Sequence, residues 1–284
     1  MNKGNMTIGK SAWVILIVII ILAVTLWVFN IPSVGDKFIK NGLQYTILTK
    51  EKATGTVMVE KDHNNVPEDI IIPATVKNRG ITYSVTEIGY GAFHDCIWIT
   101  NVTIPESVIK IGNLAFWWCT RLKSITVSPN NPQFSNEEGV LFNKDKTTLI
   151  LCPIGKEETS YTIPDSVIRI GKNAFLDCRH LKSITIPDTV TEIGESAFSW
   201  CTLESITIPD TVTLIGKGAF HGCESLKSVY YKGNAPKTGS KIYDITPKTL
   251  TSYYPRGNDT WKEAIKDGKW AERGTAEWDP KTNP

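Results

Sequence analysis

No long run of lysine and arginine occurs in the 284 residues, and 31 basic side chains are balanced by 29 acidic ones for a formal charge of +2. The counterion release that drives nucleic-acid binding has no concentrated source, so nucleic acid is not an expected partner. Also missing are a G-x-S-x-G elbow, a G-x-x-x-x-G-K phosphate loop and an H-E-x-x-H pair. Nucleophile, nucleotide and zinc-protease chemistry therefore leave no local signature. The six cysteines include no C-x-x-C pair, and the four histidines, His63, His94, His180 and His221, are scattered. Neither pattern resembles a metal site. No enzyme, metal or cofactor is expected; carboxylates converging from distant parts of the chain are the one catalytic route left open. Disorder is not expected either, because 41% of residues are apolar and 21% charged.

What is present begins with an apolar run. Residues 12 to 29 read AWVILIVIIILAVTLWVF, with Thr25 the only polar member. As a helix they would span roughly 27 Å, close to the thickness of a bilayer's hydrocarbon core. Thirteen Ile, Leu, Val or Phe residues contribute roughly −4 to −8 kcal/mol to insertion. A cleaved signal peptide is the competing reading, since Lys3 and Lys10 precede the run, but LWVFNIPSV lacks a small-x-small cleavage pattern. The expectation is a single-pass membrane protein with a cytoplasmic tail at 1–11, a transmembrane helix at 12–31 and everything after it extracytoplasmic. No sorting tail is recognisable after Trp278, so anchoring is assigned to the N-terminal helix.

The rest of the chain is organised by repetition. The pair Ala-Phe recurs at 92–93, 115–116, 174–175, 197–198 and 219–220, giving spacings of 23, 59, 23 and 22. The 59 resolves into a 23 and a 36. Within a unit, LKSITIP at 181–187 alternates buried and polar residues like a short strand. The following DTVTEIGESAFSWC, at 188–201, spaces Val190, Ile193, Ala197 and Phe198 like the inner stripe of a short helical turn. No unit can bury both faces alone, so neighbours must stack into a solenoid with one continuous core.

These residues resemble the BspA-like branch of the leucine-rich-repeat family, whose characteristic unit is IPxSVxxIGxxAFxxCxxLxSI. The resemblance implies an α+β repeat solenoid of short strands and short helical turns. GVLFNKDKTTLILCP at 139–153 is similar to that family's hairpin-bearing longer repeat, two apolar strands around a polar NKDK turn. The expected boundaries are a linker and β-rich N-terminal cap at 32–85, repeats at 86–228 with the long repeat at about 128–162, and a C-terminal cap at 229–284. A short polar helix is expected near Trp261 to Lys266. For function, the resemblance implies adhesion or the recognition of proteins or glycans by a rigid repeat surface. An envelope scaffold that organises a membrane partner is the alternative from another class.

Cys96, Cys119, Cys178, Cys201 and Cys223 share one repeat position, and Cys152 lies in the hairpin. A ladder of buried thiols beneath the Ala-Phe pairs is expected, with an inter-repeat disulfide the other possibility. Two surfaces are candidates for a ligand. One is a hydroxyl-lined strip on the strands, comprising Thr126, Thr185, Thr207 and Tyr230. The other is the group Trp98, Trp117, Trp118 and Trp200 around the cysteine position, where tryptophan is either an exposed anchor or a cover for gaps between turns.

Overall fold

The computed structural model describes residues 32–61 and 66–281. They form an almost entirely β structure of parallel coils, in which the single helix among the described residues is Asp259–Ala264. Each regular coil contributes two short strands. One series comprises Asn101–Ile104, Ser124–Val127, Ser183–Thr185, Ser205–Ile208 and Ser228–Tyr231. The other is a ladder of two-residue strands, Arg169–Ile170, Glu192–Ile193, Leu214–Ile215 and Lys237–Thr238, paired in parallel at one coil per step.

The third side of the coil corrects the α+β expectation. Ala-Phe turns are not helical, because two residues in each lie in the left-handed region: the one before Ala and the one before Cys. In one coil these are Ser196 (φ 54°) and Trp200 (φ 60°), in another Asn173 (φ 60°) and Asp177 (φ 62°). A right-handed helix cannot contain two such residues in five. N–H groups alternate instead. Ala197, Ser199 and Cys201 bond back three residues within the turn, whereas Ser196, Phe198 and Trp200 donate to Lys217, Ala219 and His221 of the next coil. The turn is thus a third parallel ladder. The stripe of Val190, Ile193, Ala197 and Phe198 is buried as expected; its spacing arises from a coil that turns inward repeatedly, not from a 3.6-residue period.

Glycine sets how closely coils approach. A Cβ at Gly194 would lie 2.7 Å from the carbonyl carbon of Gly171, and one at Gly216 would lie 2.4 Å from the backbone nitrogen of Glu195. The Ser or Thr before each inward Val reaches the preceding coil: Ser107, Thr189 and Thr211 hydroxyls donate to the carbonyls of Val85, Val167 and Val190. Phenylalanines stack along the axis, with Phe198 5.1 Å from Phe175 and 5.5 Å from Phe220. Each such buried ring contributes roughly 1.5–3 kcal/mol.

At the N-terminal end, strands Lys37–Lys40, Leu43–Lys50, Thr54–Lys61, Ile81–Ile88 and Thr75–Asn78 form one mostly antiparallel sheet that covers the first coil. In the long repeat, Phe134–Glu137, Val140–Asn143 and Thr148–Leu151 form an antiparallel meander around the NKDK turn. Its entry is fixed by the fully buried Asn131, whose amide nitrogen donates to the carbonyls of Pro105 and Val108 and whose oxygen accepts from Gln133 and Phe134 N–H. The core divides here into two clusters, one built from residues 43–127 with Leu141 and one from Val140 onward.

The membrane expectation is also corrected. The run at 12–31 lies outside the described residues, and among the described residues no helix is long and apolar enough to cross a membrane. The expected single-pass protein with a cytoplasmic N-terminus and extracytoplasmic repeats thus rests on residues outside those described. The short C-terminal helix starts earlier than its polar sequence suggested. Asn258 caps it by accepting from Thr260 N–H, and Trp261 is fully buried.

Candidate functional site

The second left-handed position of each turn lies at a corner of the coil, immediately before the buried cysteine. Down the stack it is occupied by Asp95, Trp118, Asp177, Trp200, Gly222 and, before Thr246 in place of a cysteine, Ile245. Glycine, aspartate and asparagine adopt this conformation readily; a bulky residue there costs about 1–2 kcal/mol. Two of the six are nevertheless tryptophan, and both remain in contact with solvent, Trp118 at 47% and Trp200 at 36% exposure.

Trp118 does not stand alone. Its ring lies 5.2 Å from that of half-buried Trp117 and 6.0 Å from that of His94, which is also 4.9 Å from Trp117. His94 Nε2 is buried without a hydrogen-bond partner among the described residues, and its carbonyl accepts from Lys61 Nζ. Beside Trp118 a shallow cavity of about 390 Å³ is lined by Asp95, Ile97, Thr120, Ile154, Asp177, Arg179 and His180. Asp177 is buried and its carboxylate holds Arg179 Nε at 2.6 Å. The site thus offers an aromatic face beside carboxylate, guanidinium and imidazole groups.

The other predicted residues lie apart from this cluster. Trp98 is 40% exposed and donates from Nε1 to the carbonyl of buried Val66 at 2.8 Å. Trp200 covers Gly222, where a Cβ would meet its ring at 2.5 Å, and meets His221 edge-on at 5.4 Å. The hydroxyl strip exists in segments: Thr126 and Thr185 are exposed, Thr207 and Tyr230 half-buried. At its far end Tyr230 stacks on Tyr253 at 4.7 Å and lies 5.0 Å from Trp278. Sequence reasoning missed Tyr253, although it follows Tyr230 by 23 residues, one repeat. It likewise missed Asp95 and Asp177, which share their column with the tryptophans.

The cysteine column is structural. All six thiols are free and buried. Sγ of Cys119, Cys201 and Cys223 donates to the carbonyl of Phe93, Phe175 and Phe198 in the preceding coil, at 3.0–3.1 Å. Burial pushes the Cys96 thiol up to about 11 and those of Cys119 and Cys223 up to about 12, so they stay protonated and unreactive. Among the described residues no group of three or more His, Cys, Asp or Glu side chains is arranged to hold a metal ion.

No curated protein matches the chain. Among solved structures it is similar to a leucine-rich repeat protein from Eubacterium ventriosum, with 19% identity and a TM-score of 0.53 over 78% of this chain and 79% of that one. It is also similar to the pneumococcal vaccine antigen PcpA, at 18% identity and a TM-score of 0.48 over 87% of this chain and 100% of that one. A leucine rich cell surface protein from Faecalibacterium prausnitzii matches at 21% identity and a TM-score of 0.46, over 88% and 78%. The family model for the BspA type leucine rich repeat region matches residues 74–148 and 155–264 in six copies, and with most of its length so matched the chain belongs to that family.

Proposed function

We propose that the chain is a recognition or adhesion module that captures a protein or glycan ligand on the corner edge of its solenoid, around Trp118. The observation that carries this reading is a bulky, half-exposed tryptophan held in a left-handed conformation beside a cavity with charged walls. Backbone strain of this kind persists where the surroundings enforce it, and it clusters at binding sites. An aromatic face supplies area to a peptide side chain or to a sugar ring, and Asp177 with Arg179 supplies directional hydrogen bonds. Three ladders of hydrogen bonds tie the coil that carries Trp118 to the preceding coil, so little ordering of that wall accompanies capture. Repeat proteins of this family fit such a role as binding scaffolds, and neither a metal nor a cofactor is invoked.

The test is capture of the protein by arrays of glycans and of extracellular-type proteins, followed by Trp118→Ala on every positive. The expected outcome is a loss of affinity of at least about 10-fold, equivalent to about 1.4 kcal/mol, with the thermal midpoint retained. Unchanged affinity in both Trp118→Ala and Trp200→Ala would move the site off this edge.

A further inference from the structure

One junction in the stack leaves its hydrogen bonds unmade. In four coils three alternate N–H groups of the Ala-Phe turn donate to the next coil: Gly91, Phe93 and Asp95; Asn173, Phe175 and Asp177; Ser196, Phe198 and Trp200; Gly218, Phe220 and Gly222. The equivalent groups of the remaining Ala-Phe coil are Leu114, Phe116 and Trp118. None of them has an acceptor among the described residues. On the facing coil, the carbonyls of Lys172 and Leu176 correspond to those of Glu195 and Ser199, which accept such bonds, yet they too accept none there.

The cause is the long repeat. Its strand residue Leu149 pairs with Ile170, and its Cys152 N–H donates to the Ala174 carbonyl, taking the place that Phe175 holds toward Ala197. A regular coil covers that interval, Ile170 to Phe175, in five steps. The long repeat covers it in three and cuts off the corner that would have met the coil at 112–118. Its sequence is consistent with a loose fit: where regular coils carry the close-contact glycines Gly112, Gly171, Gly194 and Gly216, this one carries Ile150. The result is a slot of about 120 Å³ walled by Ile111, Leu114, Leu141, Ile150, Ile154 and Leu176.

We propose that this slot binds an extended polypeptide segment of a partner protein, added as a strand against residues 114–118. In regular coils the same three donors meet carbonyls on alternate residues of the next coil, as Ser196, Phe198 and Trp200 do at Lys217, Ala219 and His221, so those at 114–118 match a polypeptide backbone that presents carbonyls at that interval. Sugars and lipid chains have no acceptors at that regular interval. The flanking coils are two strand steps apart, roughly 9.5 Å, room for one strand. Side chains facing the apolar walls are limited to small aliphatics such as valine. Ile154 also lines the cavity beside Trp118, so the segment emerges next to Asp95, whose carboxylate makes no ion pair among the described residues. A basic residue at that end of the segment complements it. This is strand addition, in which main-chain bonds give affinity and alternate side chains give selectivity. It uses the N–H of Trp118 and not its ring, and so stands apart from the tryptophan-edge reading.

Hydrogen–deuterium exchange of the full chain, read by mass spectrometry, tests the proposal. In the free protein the 114–118 amides are expected to exchange at least 10-fold faster than those of 173–177 and 196–200. The probes are two synthetic peptides of alternating threonine and valine, one with lysine at its N-terminus and one at its C-terminus. One of them is expected to protect 114–118 selectively. Ile154→Trp, which fills the slot, abolishes that protection; if this variant does not fold, Leu176→Trp does the same from the other wall. Slow exchange at 114–118 without peptide, absence of protection by either peptide, or protection that survives a folded slot-filling variant would each overturn the proposal.

Discussion

Regular coils and the long repeat solve the same problem with different precision. A regular coil places Gly against the preceding backbone, Phe on the preceding Phe and Cys Sγ on the preceding carbonyl, so adjacent units lock at three ladders. The long repeat has Ile150 in the glycine position and Cys152 in the phenylalanine position, and it substitutes an antiparallel meander for the missing contacts. Repetition gives rigidity, and the one departure from it leaves the concavities beside Trp118 and Ile154. The proposed binding features lie where the stacking rule is relaxed.

That contrast can be broken at several points. The largest effect is expected in the phenylalanine column: Phe198→Ala should cost about 3–5 kcal/mol in denaturant unfolding, because both stacked neighbours lose a partner and a cavity remains. Cys152→Ala, at the equivalent place in the long repeat, should cost only about 1 kcal/mol; equal costs would show the two regions to be packed alike. Next comes Gly216→Ala, whose Cβ would lie 2.4 Å from a backbone nitrogen, with an expected loss of about 1–3 kcal/mol and a matching drop in melting temperature.

Alkaline pH probes the thiol ladder. The folded state raises these thiol pKa values by burial, while in the unfolded chain they lie at about 8.5. Below pH 8 both states hold the protons and stability is flat. Above pH 9 the unfolded chain releases protons that the folded chain keeps, so stability falls, by up to about 1.4 kcal/mol per pH unit per thiol until the folded values are reached. Cys201→Ala should make that slope shallower in pH-dependent unfolding; an unchanged slope would remove Cys201 from the ladder. The smallest effect is expected at the corner. Trp118→Asn keeps a residue that tolerates the left-handed conformation and should change stability by less than about 1 kcal/mol while ligand capture is lost. A large loss of stability with capture intact would make Trp118 a packing residue.

Much of this was legible in the sequence, because a solenoid writes its contacts at a fixed interval. The spacing of Ala-Phe located five turns but not the sixth, which carries Ile242-Tyr243 in place of Ala-Phe, and the recurrence of cysteine at one position correctly placed those thiols in the core. GVLFNKDKTTLIL announced its hairpin through two apolar runs around a polar turn. The turn conformation was not legible. Inward residues at Val190, Ile193, Ala197 and Phe198 have the spacing of a helix stripe, and the residues that exclude a helix, Ser196 and Trp200, are not glycines. Left-handed backbone is usually betrayed by glycine or asparagine, and here only Gly91, Gly218, Gly222 and Asn173 gave that signal. The Trp118 cavity was half visible: the tryptophan drew notice, whereas Asp95 and Asp177 emerge only when the column before cysteine is read across coils. No local pattern announced the slot, because it arises from a path two residues shorter than its neighbours.

The direction of the coil-to-coil hydrogen bonds has a mechanical consequence. Every ladder bond runs parallel to the long axis, so tension applied between the two ends loads the coils in series, and the stack is only as strong as its weakest step. That step lies between the coil at 112–118 and the long repeat, where the turn donors at 114, 116 and 118 are open, Lys110–Ile111 pairs as a strand only with Ile81–Ile88, Ser124–Val127 only with Asn101–Ile104, and the core is divided in two. Under a pull, the molecule should part there first, into an N-terminal block and a C-terminal block that each keep their own core. A strand bound in the slot would bridge the two blocks and strengthen the joint, so that capture under load tightens the protein it is pulling on.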